Sequence, residues 1–401
     1  MNKKTRKLGL ITCSLLCAGL TQAQSNIRTD AFITAGGAFT DSAIPFEGVA
    51  KDINFNRLSR IGLQYTYTPA HDIPVTFTGQ LLARGVDDWA VTAEWALISY
   101  RPSSSWVINL GKIRTALFMY SQFYDVGVTY PWATPPEEVY GKFNIPFTSM
   151  GGIEVVNTQF IGDWMLQSRL QSGNGDFDVP ALSLSVPVQM QSIYVSQFTL
   201  SNDELTFNLG YSTVKWHSQE FNTLGGDPRV QGAFAALAGS TDPAVIAGLA
   251  SNLGVANTTN GKAEFYDLGI KYDSDLLLIG EIVKRRLSNT TFPTVESALF
   301  TAGYHFNKYT PLITYSQSNT SGSVIQQEQK SISLGLNVSM SASSLLKLEV
   351  KNTKISDGQI AAGPGANINN VGLYDTLPTL FGGDSIEDSV NKVSITFSTV
   401  L

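Results

Sequence analysis

Apolar and polar residues alternate with a period of two along most of the chain. Ile61, Leu63, Tyr65 and Tyr67 interleave with Arg60, Gln64, Thr66 and Thr68. Tyr266, Leu268, Ile270 and Tyr272 interleave with Asp267 and Lys271, and Leu346, Leu348 and Val350 with Lys347, Glu349 and Lys351. Successive strand side chains point to opposite faces, so each segment has one oily and one wet side. The pattern predicts sixteen strands, at 27–37, 57–68, 75–84, 89–100, 105–112, 151–160, 164–172, 189–200, 204–216, 263–272, 275–286, 296–306, 310–318, 329–338, 345–355 and 389–401.

A soluble sandwich alternates in the same way, with its oily side inward. Three features favour a barrel in lipid. The segments are long enough to cross a bilayer at a tilt, which takes ~9–11 residues, against ~5–6 for an ordinary strand. Connections after even strands are tight, as at 101–104, 161–163 and 273–274, while those after odd strands reach 46 residues at 217–262. Short inner turns and long outer loops are the bacterial outer-membrane pattern. Aromatic residues recur where strands meet the tight turns: Tyr67, Tyr100, Phe160, Phe198, Tyr272 and Phe306. The closing segment alternates too, through Val393, Ile395 and Phe397 to Leu401.

Residues 1–23 read as a secretory signal peptide: Lys3, Lys4, Arg6 and Lys7, an apolar run from Leu8 to Leu20, then Thr21-Gln22-Ala23. The expected organisation is that leader followed by one barrel domain over 24–401. Of 27 basic and 33 acidic residues, removal takes four basic and no acidic ones, leaving 23 and 33, a net of about −10. Both cysteines, Cys13 and Cys17, leave as well, so no disulfide is expected. The whole chain is 43% hydrophobic and only 15% charged, below the ~25% usual for globular domains. Nothing in it suggests the basic face a nucleic-acid partner would need.

Two stretches, LGKIRTALFMYSQFYDVGVTYPWATPPEEVYG (Leu110–Gly141) and TAGYHFNKYTPLITYSQS (Thr301–Ser318), resemble the Gram-negative general porins. LLKLEV (Leu345–Val350) and the closing strand are similar too. The resemblance spans essentially the whole mature chain. It implies a 16-stranded antiparallel transmembrane β-barrel, water-filled and usually a homotrimer, with an inward-folded third outer loop. By strand count that loop is Ile113 to Met150. The surroundings it implies are outer-membrane lipid and lipopolysaccharide.

The third loop has 38 residues and carries Asp125, Glu137 and Glu138 among Tyr120, Tyr124, Tyr130, Trp132 and Tyr140. Structureless loops of that length are uncommon unless functional. The expected constriction sets Asp125, Glu137, Glu138, Tyr120 and Tyr124 against Arg60 and Arg84, which parity points at the lumen, and Arg114. A field between acidic loop and basic wall would filter solutes by size and charge. Further wall positions are Glu94, Arg169, Asp267, Lys271, Glu281, Arg285, Lys347, Glu349 and Lys351, expected as ladders of wall ion pairs. In the fifth outer loop, Asp227-Pro228 and Asp242-Pro243 read as helix starts, predicting helices over 228–238 and 243–253.

His71, His217 and His305 stand apart, and no nucleophile or phosphate-loop motif is present, so neither enzyme chemistry, metal nor cofactor is expected. The reading is an exported outer-membrane porin passing small hydrophilic solutes passively. The alternatives are a sugar- or anion-selective channel with Tyr120, Tyr124, Tyr130 and Trp132 as a stacking slide, and a plugged structural or adhesive barrel.

Overall fold

The computed structural model describes residues 26–42, 45–69, 73–141, 147–181, 184–218, 260–288, 294–321, 325–326, 328–355, 359–360 and 389–401. The expected leader and the two expected helices at 228–238 and 243–253 lie outside the described residues. The strands are β1 (Ile27–Thr40), β2 (Arg60–Tyr67), β3 (Val75–Arg84), β4 (Val91–Ser103), β5 (Trp106–Arg114), β6 (Ser149–Ile161), β7 (Trp164–Ala181), β8 (Leu184–Ser201), β9 (Leu205–His217), β10 (Asn260–Asp273), β11 (Leu276–Ser288), β12 (Thr294–Tyr304), β13 (Tyr309–Ser321), β14 (Ile325–Gln326), β15 (Glu328–Ser341), β16 (Ser344–Ile355), β17 (Gln359–Ile360) and β18 (Ser389–Val400). Short β14 and β17 pair only with each other. The remaining sixteen form one closed antiparallel barrel.

Closure comes from β1 pairing with β18, in register from Phe32↔Val400 to Thr40↔Lys392. The ring then has no open edge, so strand backbone groups find partners without water. All sixteen expected strands are present, and the alternation sets their faces. On β16, Leu348 and Val350 are exposed while Lys347, Glu349 and Lys351 are buried. On β18, Ile395 and Phe397 face out while Lys392, Ser394, Thr396 and Ser398 are buried. This is the reverse of a soluble core: the oil is outside and the charge inside. Large exposed apolar side chains recur on strands right round the barrel, far beyond what a water-facing surface normally shows. The aromatics at the tight-turn ends belong to that outward surface, with Tyr67, Tyr100, Phe160, Phe198 and Phe306 all exposed.

One connection differs from expectation. Residues 173–181 and 184–188, expected as a loop, are strand, and β7 and β8 stay paired through Gly175↔Met190 and on to Ala181↔Leu184. A register shift between Gly173 and Gly175 accommodates the change. Beyond it Phe177, opposite Val188, packs against the interior apolar cluster.

Candidate functional site

The chain between β5 and β6, described over residues 115–141 and 147–148, bonds to inward-facing side chains on strands right round the barrel. Its centre is Asp125. Arg60 on β2 and Arg84 on β3 sit directly opposite each other in register. Like charges so placed repel, and Asp125 sits between them. Arg84 grips it with two bonds, Nε to Oδ1 at 2.9 Å and Nη2 to Oδ2 at 2.8 Å. Arg114, at the end of β5, reaches Oδ2 at 2.7 Å, and Arg60 reaches Oδ1 at 3.5 Å. Glu94 on β4 adds a second carboxylate, 3.3 Å from Arg84 and 3.5 Å from Arg114. Arg60 also donates to the Tyr124 carbonyl at 3.1 Å and the Tyr130 hydroxyl at 2.9 Å. Burial opposes ionisation of Asp125, but Arg114, Arg84 and Arg60 outweigh it and hold its carboxyl below the usual range.

The same arrangement recurs on the far wall. Lys351 on β16 and Lys392 on β18 are directly opposed. Glu47, from the β1–β2 connection, bonds to both, at 2.7 Å from Lys351. Burial pushes the Glu47 carboxyl up, yet the two lysines bring it from the ordinary 4.5 down to about 2. Glu138 joins this group. It accepts bonds from Ser316 at 2.9 Å, Gln329 at 2.8 Å, Ser331, and Lys351 at 3.3 Å. Glu137 instead pairs with Arg57, ahead of β2, at 3.2 Å. Both acids lie in the single turn α1 (Glu137–Tyr140), where negative charge suits the start of a helix.

Among the described residues, Lys347 on β16 forms no ion pair. Its ammonium donates to three backbone carbonyls, of Gly127, Tyr130 and Trp132, at 2.5, 2.7 and 2.7 Å. It also lies 4.2 Å from the centre of the Tyr130 ring. Glu349 accepts from the Ala133 amide at 3.4 Å. Gly127 tolerates this approach because it has no side chain; a Cβ there would strike Ser398 and Thr34.

The third contact region is apolar. Phe118, Tyr120, Trp132 and Tyr140 pack edge-on or tilted against one another. They share one buried cluster with wall residues of β8 to β12, including Ile193, Val214, Phe265, Ile279, Val283 and Leu299. Two of their polar groups find partners, while the Tyr120 hydroxyl is buried without one among the described residues. Trp132 Nε1 donates to Thr301 at 2.9 Å and Thr314 at 3.1 Å, and the Tyr140 hydroxyl donates to Glu281.

These positions bear on the expected site. Arg60, Arg84, Arg114 and Asp125 are brought together, with Glu94 among them. They touch, where sequence reasoning expected a gap between acidic loop and basic wall. Some of the expected wall charges pair with one another, as Glu94 does with Arg84 and Arg114, while others bond to residues arriving from loops. Lys347, Glu349 and Lys351 hold the segments just described. Arg169 pairs with Glu154 at 3.0 Å and donates to Gln122. Lys271 pairs with Asp273 at the turn end of its own strand, at 2.6 Å. Asp267 accepts from Asn208 and lies beside Glu281. Arg285 is buried and faces inward. Tyr120, Tyr130 and Trp132 are buried against one another and Tyr124 is half-buried, so they do not form an exposed slide. Sequence reasoning missed Glu47, Arg57, Lys392 and Glu154. Parity on the last strand could have found Lys392, which alternates with Val393 and Ile395.

Comparison with known proteins supports the architecture. No family model matches the chain, and no curated protein matches it in sequence. Among solved structures, the anion-selective porin of Comamonas acidovorans is similar at a TM-score of 0.58 and 10% identity, over 94% of this chain and 99% of that one. OmpT of Vibrio cholerae, outer-membrane expressed, gives 0.55 and 11%, over 94% and 97%. The outer membrane channel DcaP of Acinetobacter baumannii gives 0.54 and 11%, over 94% and 97%. At such low identity the likeness speaks to fold: this chain folds as a closed sixteen-stranded barrel of the outer-membrane porin type.

Proposed function

We propose that the protein is a porin-type channel of a Gram-negative outer membrane, passing small hydrophilic solutes by passive diffusion. The observation that carries this is the inverted barrel, apolar outside and charged within, which suits a wall between lipid and water. Residues 115–148 serve as the third outer loop, folded into the barrel and narrowing it. Asp125, Arg60, Arg84, Arg114 and Glu94 form the charged side of the narrowing, and Glu137 and Glu138 its other acids. The wall charges Arg169, Asp267, Lys271, Glu281, Arg285, Lys347, Glu349 and Lys351 set where the loop rests. The leader at 1–23 directs export, and the mature barrel lies among outer-membrane lipid and lipopolysaccharide. A homotrimer is part of the proposal, supported by a similar solved structure described as the trimer form of in-vitro folded OmpT of Vibrio cholerae. The mechanism needs no covalent step.

One observation favours a second reading, the plugged barrel. The loop and the wall around it are buried to a degree unusual for a water-filled passage; Trp132, Lys347, Asp125 and Thr301 are each at most 1% exposed. Planar-bilayer recording of the refolded protein separates the two. Stepwise conductance is expected. A silent membrane containing correctly folded protein would overturn the channel and leave the plug.

A further inference from the structure

Three stretches of wall meet the inward segment, and they differ in the side chains they offer it. Toward β2–β5 the contact is charged, and toward β8–β12 it is large and apolar. On β13, β15 and β18 the buried inward positions include a run of short hydroxyls: Thr314 and Ser316, Ser331 and Ser333, Ser394 and Thr396. Register sets them in rows. Thr314 lies opposite Ser333, Ser333 opposite Lys351, and Ser316 opposite Ser331. Protein interiors close-pack, so short side chains leave a gap unless the facing chain moves in. Here a gap remains. Trp132, Thr134 and Pro136 face Thr314, Ser316, Ser331 and Ser333 across a cleft with ≈ 10 Å³ of room for the centre of a water molecule, enough for about one.

The same strip is where the segment is held most loosely. At its ends the grip is firm. Lys347 donates to the Tyr130 and Trp132 carbonyls, and Glu138 accepts from Ser316, Gln329 and Ser331. Between them, among the described residues, one hydrogen bond joins residues 133–137 to the strands, from the Ala133 amide to Glu349 at 3.4 Å. Pro135 and Pro136 have no amide hydrogen to offer. Glu349 lines the cleft, and among the described residues that long bond is the one it accepts. A carboxylate has room for several donors, and water is the donor the cleft admits.

We propose that this seam, between residues 132–136 and the hydroxyl wall of β13 and β15, is the route by which small hydrophilic solutes cross the barrel, with the Asp125 cluster anchoring the opposite side of the segment. The inference rests on the channel reading and adds where the passage runs. Each Ser or Thr hydroxyl both donates and accepts, so this wall stands in for the water around a passing solute. Lys351 adds no bare charge, because Glu47 and Glu138 hold it. As the segment stands, the seam is about one water wide. Anything larger crosses as the proline strip draws back from the wall, against a single long bond.

Both cysteines of the chain, Cys13 and Cys17, fall in the expected leader, so a cysteine placed in the mature barrel can be labelled without background. Ser333→Cys exchanges one oxygen for sulfur in the cleft. A small, charged, water-soluble methanethiosulfonate should modify it in the folded barrel, and the modified protein should lose most of its planar-bilayer conductance. Ile279→Cys, on the apolar wall, should stay unmodified and conduct as before treatment. Thr134→Cys, on the facing side of the cleft, repeats the test if Ser333→Cys lacks the heat-modifiable gel mobility of a folded barrel. No modification in the cleft, modification that leaves conductance unchanged, or equal modification of Ile279→Cys would overturn the seam and leave a conducting wild type a channel by another route. A wild type that conducts nothing would sink the channel reading and the seam with it.

Discussion

Two of the walls that hold residues 115–141 and 147–148 work in opposite ways. From β2 to β5 the contact is ionic: three arginines converge on Asp125, and Glu94 pairs with two of them. From β8 to β12 it is oil: Phe118 and Tyr140 lie against Phe265, Ile279 and Val283. The ionic wall fixes position, because a carboxylate gripped by two bonds from one guanidinium has little freedom. The apolar wall supplies burial without demanding one geometry. Its lesson is that facing the lumen does not by itself dictate a polar side chain; what covers the position decides.

The largest break in this comparison is at the ionic wall. Asp125→Ala leaves three clustered guanidinium groups with Glu94 and the more exposed Asp87 as their remaining carboxylate partners among the described residues. Losing one member of a buried ion group costs ~3–5 kcal/mol. The expected result is a loosened segment: larger or noisier conductance steps and a lower temperature for heat-modified gel migration. Unchanged melting and conductance would mean that the cluster is fully hydrated and holds nothing. The acid dependence of the wild type has a definite sign. The carboxyl of Asp125 is held below its ordinary 3.8 in the folded protein. Its stabilisation is thus full above that ordinary value and fades only as pH falls toward the lower folded one. The anchor should survive mildly acid conditions.

The same contrast explains what could be read in advance. Strands were legible because lipid outside and water or charged loop inside enforce strict alternation, as in Ile61 to Tyr67. Arg60 and Arg84 followed from parity alone. The apolar wall was hidden for the opposite reason. On β11, Leu277, Ile279 and Val283 face inward and Leu276, Leu278 and Ile282 face outward, so both faces are apolar and the period of two vanishes. Residues 173–181 and 184–188 were lost as strand because two glycines interrupt the alternation at the register shift. Glu47 and Arg57 could not be found at all. Their partners, Lys351, Lys392 and Glu137, lie far along the chain, and nothing local marks the pairing.

A smaller perturbation tests the apolar wall. Ile279 on β11 is fully buried under the segment. Ile279→Ala removes three carbons and leaves a cavity that aromatic neighbours fill only in part, costing ~2–4 kcal/mol. The melting temperature should drop while the charge selectivity of any conductance stays as in the wild type, since no charge has moved. A shift in reversal potential would show that the two walls are not independent.

The smallest expected effect lies where the two kinds of contact meet. Trp132 stacks with Tyr130 beside the ionic wall and packs edge-on against Tyr120 in the apolar cluster, and its Nε1 donates to Thr301 and Thr314. Trp132→Phe keeps most of the ring and deletes the donor. The two threonine hydroxyls are 2.9 Å apart and already bond to each other, so neither is left without a partner. A neutral bond whose acceptors stay satisfied is worth ~1 kcal/mol. The variant should melt slightly lower than the wild type and conduct alike. A loss as large as that of Ile279→Ala would mean that the indole bond, rather than the oil around it, holds this end of the segment in place.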